Sequence, residues 1–184
     1  MKDLNKRVAI VTGSSSGVGA ATAKLLAAQG CNVVINYNSN SAGADAVAQE
    51  CSALGAEYLV IGGNVADDSN CRAMAEAAIE KWGRIDILVN NAGTTKFVDH
   101  WDLDGLSSED FQHIYGVNVI GAYQMVRAVC EQMKSQDEGG AVVNVASTAA
   151  VTGIGSSVAY AASKGALVTM TLSLARALGP KLRI

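Results

Sequence analysis

The chain has 184 residues, with 14 Lys and Arg against 17 Asp and Glu for a formal charge of −3, and 49% of its residues are apolar. Those values describe one domain, residues 1–184, able to bury roughly 70% of its unfolded surface without disulfides or a structural metal, and they exclude disordered and collagen-like chains. The acidic balance, with no run of Lys or Arg, gives no electrostatic footprint for nucleic acid or an anionic membrane.

The apolar runs Val8 to Val11, Val33 to Ile35, Tyr58 to Ile61, Ile85 to Val89 and Val142 to Val145 are nearly continuous rather than alternating. Such strands are covered on both faces, as in a parallel sheet. Between them the pattern predicts helices over about Gly17 to Gln29, Ala42 to Leu54, Asp67 to Trp82, Ser107 to Lys134 and Ser157 to Leu178. Several open on Ser or Asp in capping position, and Gly30, Gly55 and Gly83 are expected to close three of them. This alternation predicts an α/β fold with a doubly wound parallel sheet. After Gly179 and Pro180, Lys181 to Ile184 reads as the opening of a sixth strand, so the fold is expected to lack its C-terminal strands.

Cys31, Cys51, Cys71 and Cys130 are far apart, and the two histidines are not clustered. Buried thiols are the expectation, with neither a zinc site nor a redox dithiol. The segment Met1 to Val11 is too charged for a signal peptide, and no apolar run approaches membrane-spanning length, so the cytoplasm is the expected compartment.

The strongest local signal is Thr12-Gly13-Ser14-Ser15-Ser16-Gly17-Val18-Gly19, which follows the first strand and opens the first helix. Glycines there allow a tight turn and close backbone approach to a diphosphate, whose charge meets the exposed N–H groups of the helix start. The same residues contain Gly-x-Ser-x-Gly, which on a strand-turn-helix could make Ser15 an acylating nucleophile with His113 and Asp102, Asp104 or Asp110. That alternative is disfavoured because the motif sits on the first strand, with no earlier strands to supply an oxyanion loop.

Asn90-Asn91-Ala92-Gly93 ends the fourth strand, and Asn118 falls at helical spacing from Ile114 and Ala122, where a buried amide must find a partner. Ser147 follows the fifth strand, and Tyr160-Ala161-Ala162-Ser163-Lys164 begins the next helix. Residues four apart share a helix face, so the Tyr160 hydroxyl and the Lys164 ammonium can enter one pocket. A nearby ammonium favours tyrosinate, and a hydroxyl such as that of Ser147 can orient a carbonyl or alcohol oxygen while Tyr160 moves its proton. Thr12, Tyr37, Asn64, Asn90 and Ser147 all fall at the carboxyl ends of predicted strands, the edge where doubly wound sheets bind ligands.

With these motifs in this order, the sequence resembles the short-chain dehydrogenase/reductase family, and within it the 3-oxoacyl-[acyl carrier protein] reductases, from about Lys6 to Ile184. The resemblance implies a Rossmann-type sheet, a nicotinamide dinucleotide held by the glycine loop and the Asn90 to Gly93 segment, and hydride transfer to or from a carbonyl or secondary alcohol. It implies Tyr160 as general acid/base and Lys164 as the group that lowers its pKa and bonds the nicotinamide ribose. Ser147 would hold the substrate oxygen, and Asn118 a water linking Lys164 to solvent. Asn90 would meet the adenosine side of the cofactor, and Asn64 with Val65 the adenine ring; where the family often has Asp before that Val, this chain has Asn64.

No acid occurs between Cys31 and Gly43, where an NAD-preferring site carries a carboxylate for the ribose hydroxyls. Tyr37, Asn38 and Ser39 therefore predict NADP(H) over NAD(H), with no metal required. The resemblance further implies a homo-dimer or homo-tetramer through the helices at Ser107 to Lys134 and Ser157 to Leu178. A second alternative keeps the fold but makes the chain a catalytically incompetent dinucleotide-binding fragment, because in the family a strand and loop beyond Ile184 complete the active site.

Overall fold

The computed structural model describes residues 4–184. Six strands form one parallel sheet in the order β3-β2-β1-β4-β5-β6: β1 Val8–Val11, β2 Asn32–Tyr37, β3 Tyr58–Gly62, β4 Ile87–Asn90, β5 Gly140–Asn144 and β6 Leu182–Arg183. The order reverses at β1, which pairs β2 on one side and β4 on the other, so the crevice of a doubly wound sheet opens there. The helices are α1 Gly17–Ala28, α2 Ser41–Ala53, α3 Asp68–Trp82, α4 Ser108–Tyr115, α5 Ala122–Ser135, α6 Ala149–Thr152 and α7 Val158–Leu178.

The continuous apolar strands are explained by two cores, one on each face. Val8, Ile10, Val34, Leu88 and Val142 point to the side covered by Met74 of α3 and by Met125, Val129 and Met133 of α5. Their neighbours Ala9, Val11, Val33 and Ile35 point to the other side, against Ala23 and Ala27 of α1 and Val47 and Cys51 of α2. Small residues on α1 let that helix sit close to β1. All four cysteines are free and buried, as expected, and burial pushes the Cys31 thiol up to about 11 and that of Cys71 up to about 12.

Three departures from the sequence pattern have physical causes. The predicted helix Ser107 to Lys134 is interrupted by a π-helical turn, Gly116–Gly121, so Asn118 does not continue the α-helical spacing of Ile114 and Ala122. The extra residue in the turn points the Asn118 side chain inward, where it bonds the main chain of Thr94 and the hydroxyl of Ser163. Strand β4 begins at Ile87 rather than Ile85, because the Ile85 N–H and carbonyl are taken by the Gln136 side chain. The 21-residue α7 is the one described helix long and apolar enough by length and composition to cross a membrane, against the expectation that no run reaches that length. It packs on α4, α6 and β5 and carries Lys164 on its buried side.

At the amino ends of the strands, Asp86 accepts bonds from the Val8 N–H, from Arg7 and, bidentately, from Arg84. Burial alone would push this carboxyl up; the bonds from Arg84, Val8 and Arg7 outweigh it and hold the group below its ordinary value. Because the folded-state pKa is depressed, the stabilisation is whole above the ordinary value of 3.8 and is lost as pH falls through the lower folded value. Asp86→Ala is expected to cost about 1–3 kcal/mol in urea denaturation at neutral pH, because the buried Val8 N–H loses its acceptor and the partly solvated Arg7 and Arg84 lose a partner. The deficit should shrink once the parent protein is titrated below 3.8.

Candidate active site

The turn after β1 is held by its own side chains. Ser14 is fully buried: its hydroxyl donates to the Val11 carbonyl at 2.7 Å and accepts the Asn36 N–H at 3.0 Å. The Asn36 side chain accepts the Gly13 N–H at 3.0 Å and donates to the carbonyls of Ile61 and Gly63. The next residues, Ser15 and Ser16, line the groove with their side chains free of these bonds. Gly13 has φ +61°, and a Cβ on it would lie 2.9 Å from Ala92 Cα, so the turn after β4 touches it directly.

Thr12 joins the two turns. Its hydroxyl accepts the N–H groups of Asn91 and Ala92 at 3.1 and 3.0 Å, and the Asn91 side chain returns bonds to the carbonyls of Thr12 and Gly13. Gly19 of α1 completes the contact, since a Cβ there would strike the Asn91 side-chain nitrogen and come within 2.6 Å of the Gly13 carbonyl.

Over these turns lies a cavity of about 440 Å³ lined by Gly13, Ser15, Ser16, Asn36, Asn38, Ser39, Asn40, Gly63, Asn64, Val65, Asn91, Ala92, Gly93, Thr94, His113 and Val117. None of the lining residues is Asp or Glu. The start of α1 faces it without a side-chain cap and with no acid in its first turn. By contrast Asn40, Asp67, Ser107 and Ser157 cap α2, α3, α4 and α7. An uncapped helix start, positive-φ glycines and a wall of amides and hydroxyls without carboxylates fit the diphosphate and ribose groups of a dinucleotide. A larger polar cavity of about 670 Å³ at the opposite edge of the sheet is lined by Arg7, Arg84 and Glu138, whose charges are engaged with one another and with Asp86.

Gly93 connects the groove to the second cluster: a Cβ on it would lie 3.4 Å from Asn118 Oδ1 and 3.7 Å from Lys164 Nζ. Lys164 is only 4% exposed, and its ammonium donates to the Val145 carbonyl at 2.7 Å and sits 5.8 Å from the centre of the Tyr160 ring. Burial pushes the Lys164 pKa below its ordinary value. Tyr160 is fixed at the start of α7 by Ser157, which accepts the Tyr160 N–H, and Gly155 packs against its ring. Ser147, three residues past β5, accepts the Ala149 N–H at the start of α6. The Asn118 amide is fully engaged, accepting from the Thr94 N–H and donating to the Thr94 carbonyl and to Ser163.

Several expected binding residues are placed differently from what the sequence suggested. Asn90 is buried behind the groove, donating to Asn144 and to the Ala122 carbonyl, and does not line the cavity expected to hold a nucleoside. Thr12 is likewise buried and acts through the Asn91 turn. The Tyr37 ring lies over Gly62 of the neighbouring strand, leaving Asn38 and Ser39 to line the groove. Nothing in the sequence marks Thr94, and His113 lines the groove rather than completing the triad considered for it; Asn36 and Asn40, in and just after the second strand, extend the wall beside Asn38 and Ser39. The nucleophile alternative is not assembled: Ser15 and His113 line one groove without a bond between them, Asp110 is bound to Lys96 and Ser107, and Asp102 caps the turn Leu103–Gly105.

Fold and groove together define a doubly wound α/β domain with a carboxylate-free crevice at its switch point. Residues 7–184 match the short chain dehydrogenase family model, and the chain belongs to that family. A crystal structure of a putative short-chain dehydrogenase/reductase from Burkholderia xenovorans superposes with a TM-score of 0.94 at 42% identity, over 97% of this chain and 74% of that one. The chain is also similar to the 3-oxoacyl-[acyl-carrier-protein] reductase of Synechocystis, 36% identical over 98% of this chain and 72% of the relative. A third relative, L-rhamnose 1-dehydrogenase (NAD(P)(+)) of Azotobacter vinelandii, is 38% identical over 95% of this chain and 68% of its own length. The protein is an NAD(P)-dependent oxidoreductase acting on small molecules. Gly19→Ala, which drives a methyl group into the seam between the two turns, is expected to cost about 1–3 kcal/mol in urea denaturation.

Proposed function

We propose that the protein catalyses reversible hydride transfer between NADP(H) and a carbonyl or secondary alcohol, with Tyr160 moving the proton. The observation that carries this reading is the juxtaposition at Gly93: the carboxylate-free groove ends where Lys164 and Asn118 begin. The bound dinucleotide supplies the hydride in reduction and takes it in oxidation. Ser147 holds the substrate oxygen, and Tyr160 gives that oxygen its proton as the carbonyl carbon is reduced. Lys164 places a positive charge beside the phenol and donates to the nicotinamide ribose. Asn118, whose side chain is committed to Thr94 and Ser163, acts by fixing the shape of the π turn and the link from Lys164 to solvent.

Ser15, Ser16, Gly17, Val18 and Gly19 take the diphosphate in this reading, and Asn64, Val65 and the Asn91 to Gly93 turn take the adenosine and its ribose. Preference for NADP(H) is supported by Asn38, Ser39 and Asn40, which line the groove where a carboxylate would repel a 2′-phosphate. Room for a substrate with both apolar and polar groups is supported by a further cavity, about 480 Å³, lined by Phe97, Val98, Asp99, His100, Gly155 and Ser156. Gly155 also packs on the Tyr160 ring, and Val151 and Ile154 stand exposed nearby in the chain. A 3-oxoacyl thioester, the substrate type named for the Synechocystis relative, belongs to that class. Self-association through α4, α5 and α7 is supported by the exposed Phe111, Ile120, Tyr123, Val168 and Leu172, and a cytoplasmic setting by the four unpaired thiols.

Tyr160→Phe is expected to retain cofactor binding, followed by reduced-nicotinamide fluorescence, while turnover falls by a factor of about 10²–10⁴; near-normal turnover would overturn the assignment. Asn38→Asp is expected to weaken NADPH at least about tenfold relative to NADH, as one added charge facing a phosphate requires. An unchanged ratio of the two affinities would remove the case for NADP(H).

A further inference from the structure

We propose that Gln124 positions the base end of the nucleotide groove, an assignment that rests on the cofactor reading above. Helix α5 turns an apolar side inward, with Met125, Val129 and Met133 buried, and Gln124 is its one buried amide, 8% exposed. A buried amide is costly unless bonded. This one donates both bonds of its Nε2 to successive main-chain carbonyls, Val65 and Ala66, each at 3.1 Å. Carbonyls only accept, so the nitrogen must face them.

The segment it holds is the groove wall that contains Asn64 and Val65. The residues before it are held by other bonds: Gly63 is tied to β2 through the Tyr37 carbonyl and the Asn36 side chain, and Asn64 O accepts the Asp67 N–H at 3.0 Å and the Asn70 side chain at 3.4 Å. Val65 O also accepts the Cys71 thiol at 3.2 Å, and the Asn64 side chain accepts the Ala66 N–H at 3.0 Å, a bond internal to the segment. Gly121, the last residue of the π turn, gives the segment room to reach α5: a Cβ there would meet Val65 Cγ2 at 2.7 Å and the Val65 carbonyl at 3.0 Å. The wall that meets the base is therefore seated on α5 and on the π turn, beyond the end of β3. An apolar side chain at 124 would take the side-chain donor from the Ala66 carbonyl, leave Val65 O with only the weak Cys71 thiol, and loosen the wall at those two residues.

The effect is specific to one end of the groove. Ligands that carry adenosine lose affinity, and those that carry only the nicotinamide half do not. The test is calorimetric titration of the parent and of Gln124→Met, which keeps the side-chain length and removes the donor. The ligands are ADP-ribose, NADPH and reduced nicotinamide mononucleotide, with thermal melting measured alongside. The expected result is about tenfold weaker ADP-ribose and NADPH with the mononucleotide unchanged. Equal affinity of both proteins for ADP-ribose, or equal weakening of all three ligands, would overturn the proposal. If Gln124→Met does not fold, Cys71→Ala removes the other donor to Val65 O and should weaken ADP-ribose in the same direction, by about twofold to threefold; no change there overturns it too. A parent that binds neither NADPH nor ADP-ribose overturns the cofactor reading and this proposal together, whereas a parent that binds while Gln124→Met is undiminished overturns this one alone.

Discussion

The Thr12 hydroxyl is the point on which the site is assembled. Parallel strands deliver each of their turns to the same edge of the sheet, but edge position alone leaves neighbouring turns free to move independently. Thr12 accepts two N–H groups from the turn after β4 while Asn91 bonds back to the carbonyls of Thr12 and Gly13. The contact is close enough that Gly13 and Gly19 have no room for a side chain. Since β1 and β4 are the strands between which the sheet order reverses, this clamp fixes the width of the crevice. Fixing that width before a ligand arrives is what lets short polar side chains and main-chain N–H groups act as a binding surface.

The second constraint is a cost. Lys164 is buried to 4% exposure, and desolvation of its ammonium is the one cause of its lowered pKa. The single hydrogen bond to Val145 O offsets only part of what water would supply to three donors. A helix selected for stability alone would carry Leu or Met at that position. The groove beside it contributes no carboxylate, so no anionic side chain lining it compensates the charge. The two features agree physically: a buried cation and a groove free of carboxylates both favour an anionic or electron-rich ligand over water.

The sequence was most informative where a pattern has a single physical meaning. Continuous β-branched runs located β1, β2 and β3 because strands covered on both faces have no polar side, and glycines with positive φ marked the turns at Gly13, Gly17 and Gly83. Tyr160 and Lys164 could be paired because four residues make one helical turn. The features that were not legible depended on tertiary contact. The π turn is set by bonds between Asn118 and residues 24 and 45 positions away in the chain. Asn90 and Tyr37 sit at the right strand ends, but their directions are decided by Asn144 and Gly62 on neighbouring strands. Gln124 carried no local signal, because its partners are carbonyls, which no side-chain pattern reveals.

The π turn also links the parts of the site that the sheet does not join. At its middle, Asn118 bonds the Thr94 main chain and Ser163, whose hydroxyl continues to the Tyr160 carbonyl at 2.7 Å. At its end, Gly121 touches Val65, and Gln124 one turn later holds Val65 and Ala66. One extra residue in a helix thus sets both the helix turn that carries Tyr160 and the wall that carries Asn64. A regular α-helix through the same span would rotate Asn118 away from Thr94, since each inserted or removed residue rotates the remainder of the helix by about 100°. The irregularity is therefore part of how the site is built: the strands fix where the turns arrive, and the π turn fixes how the two ends of the groove face one another.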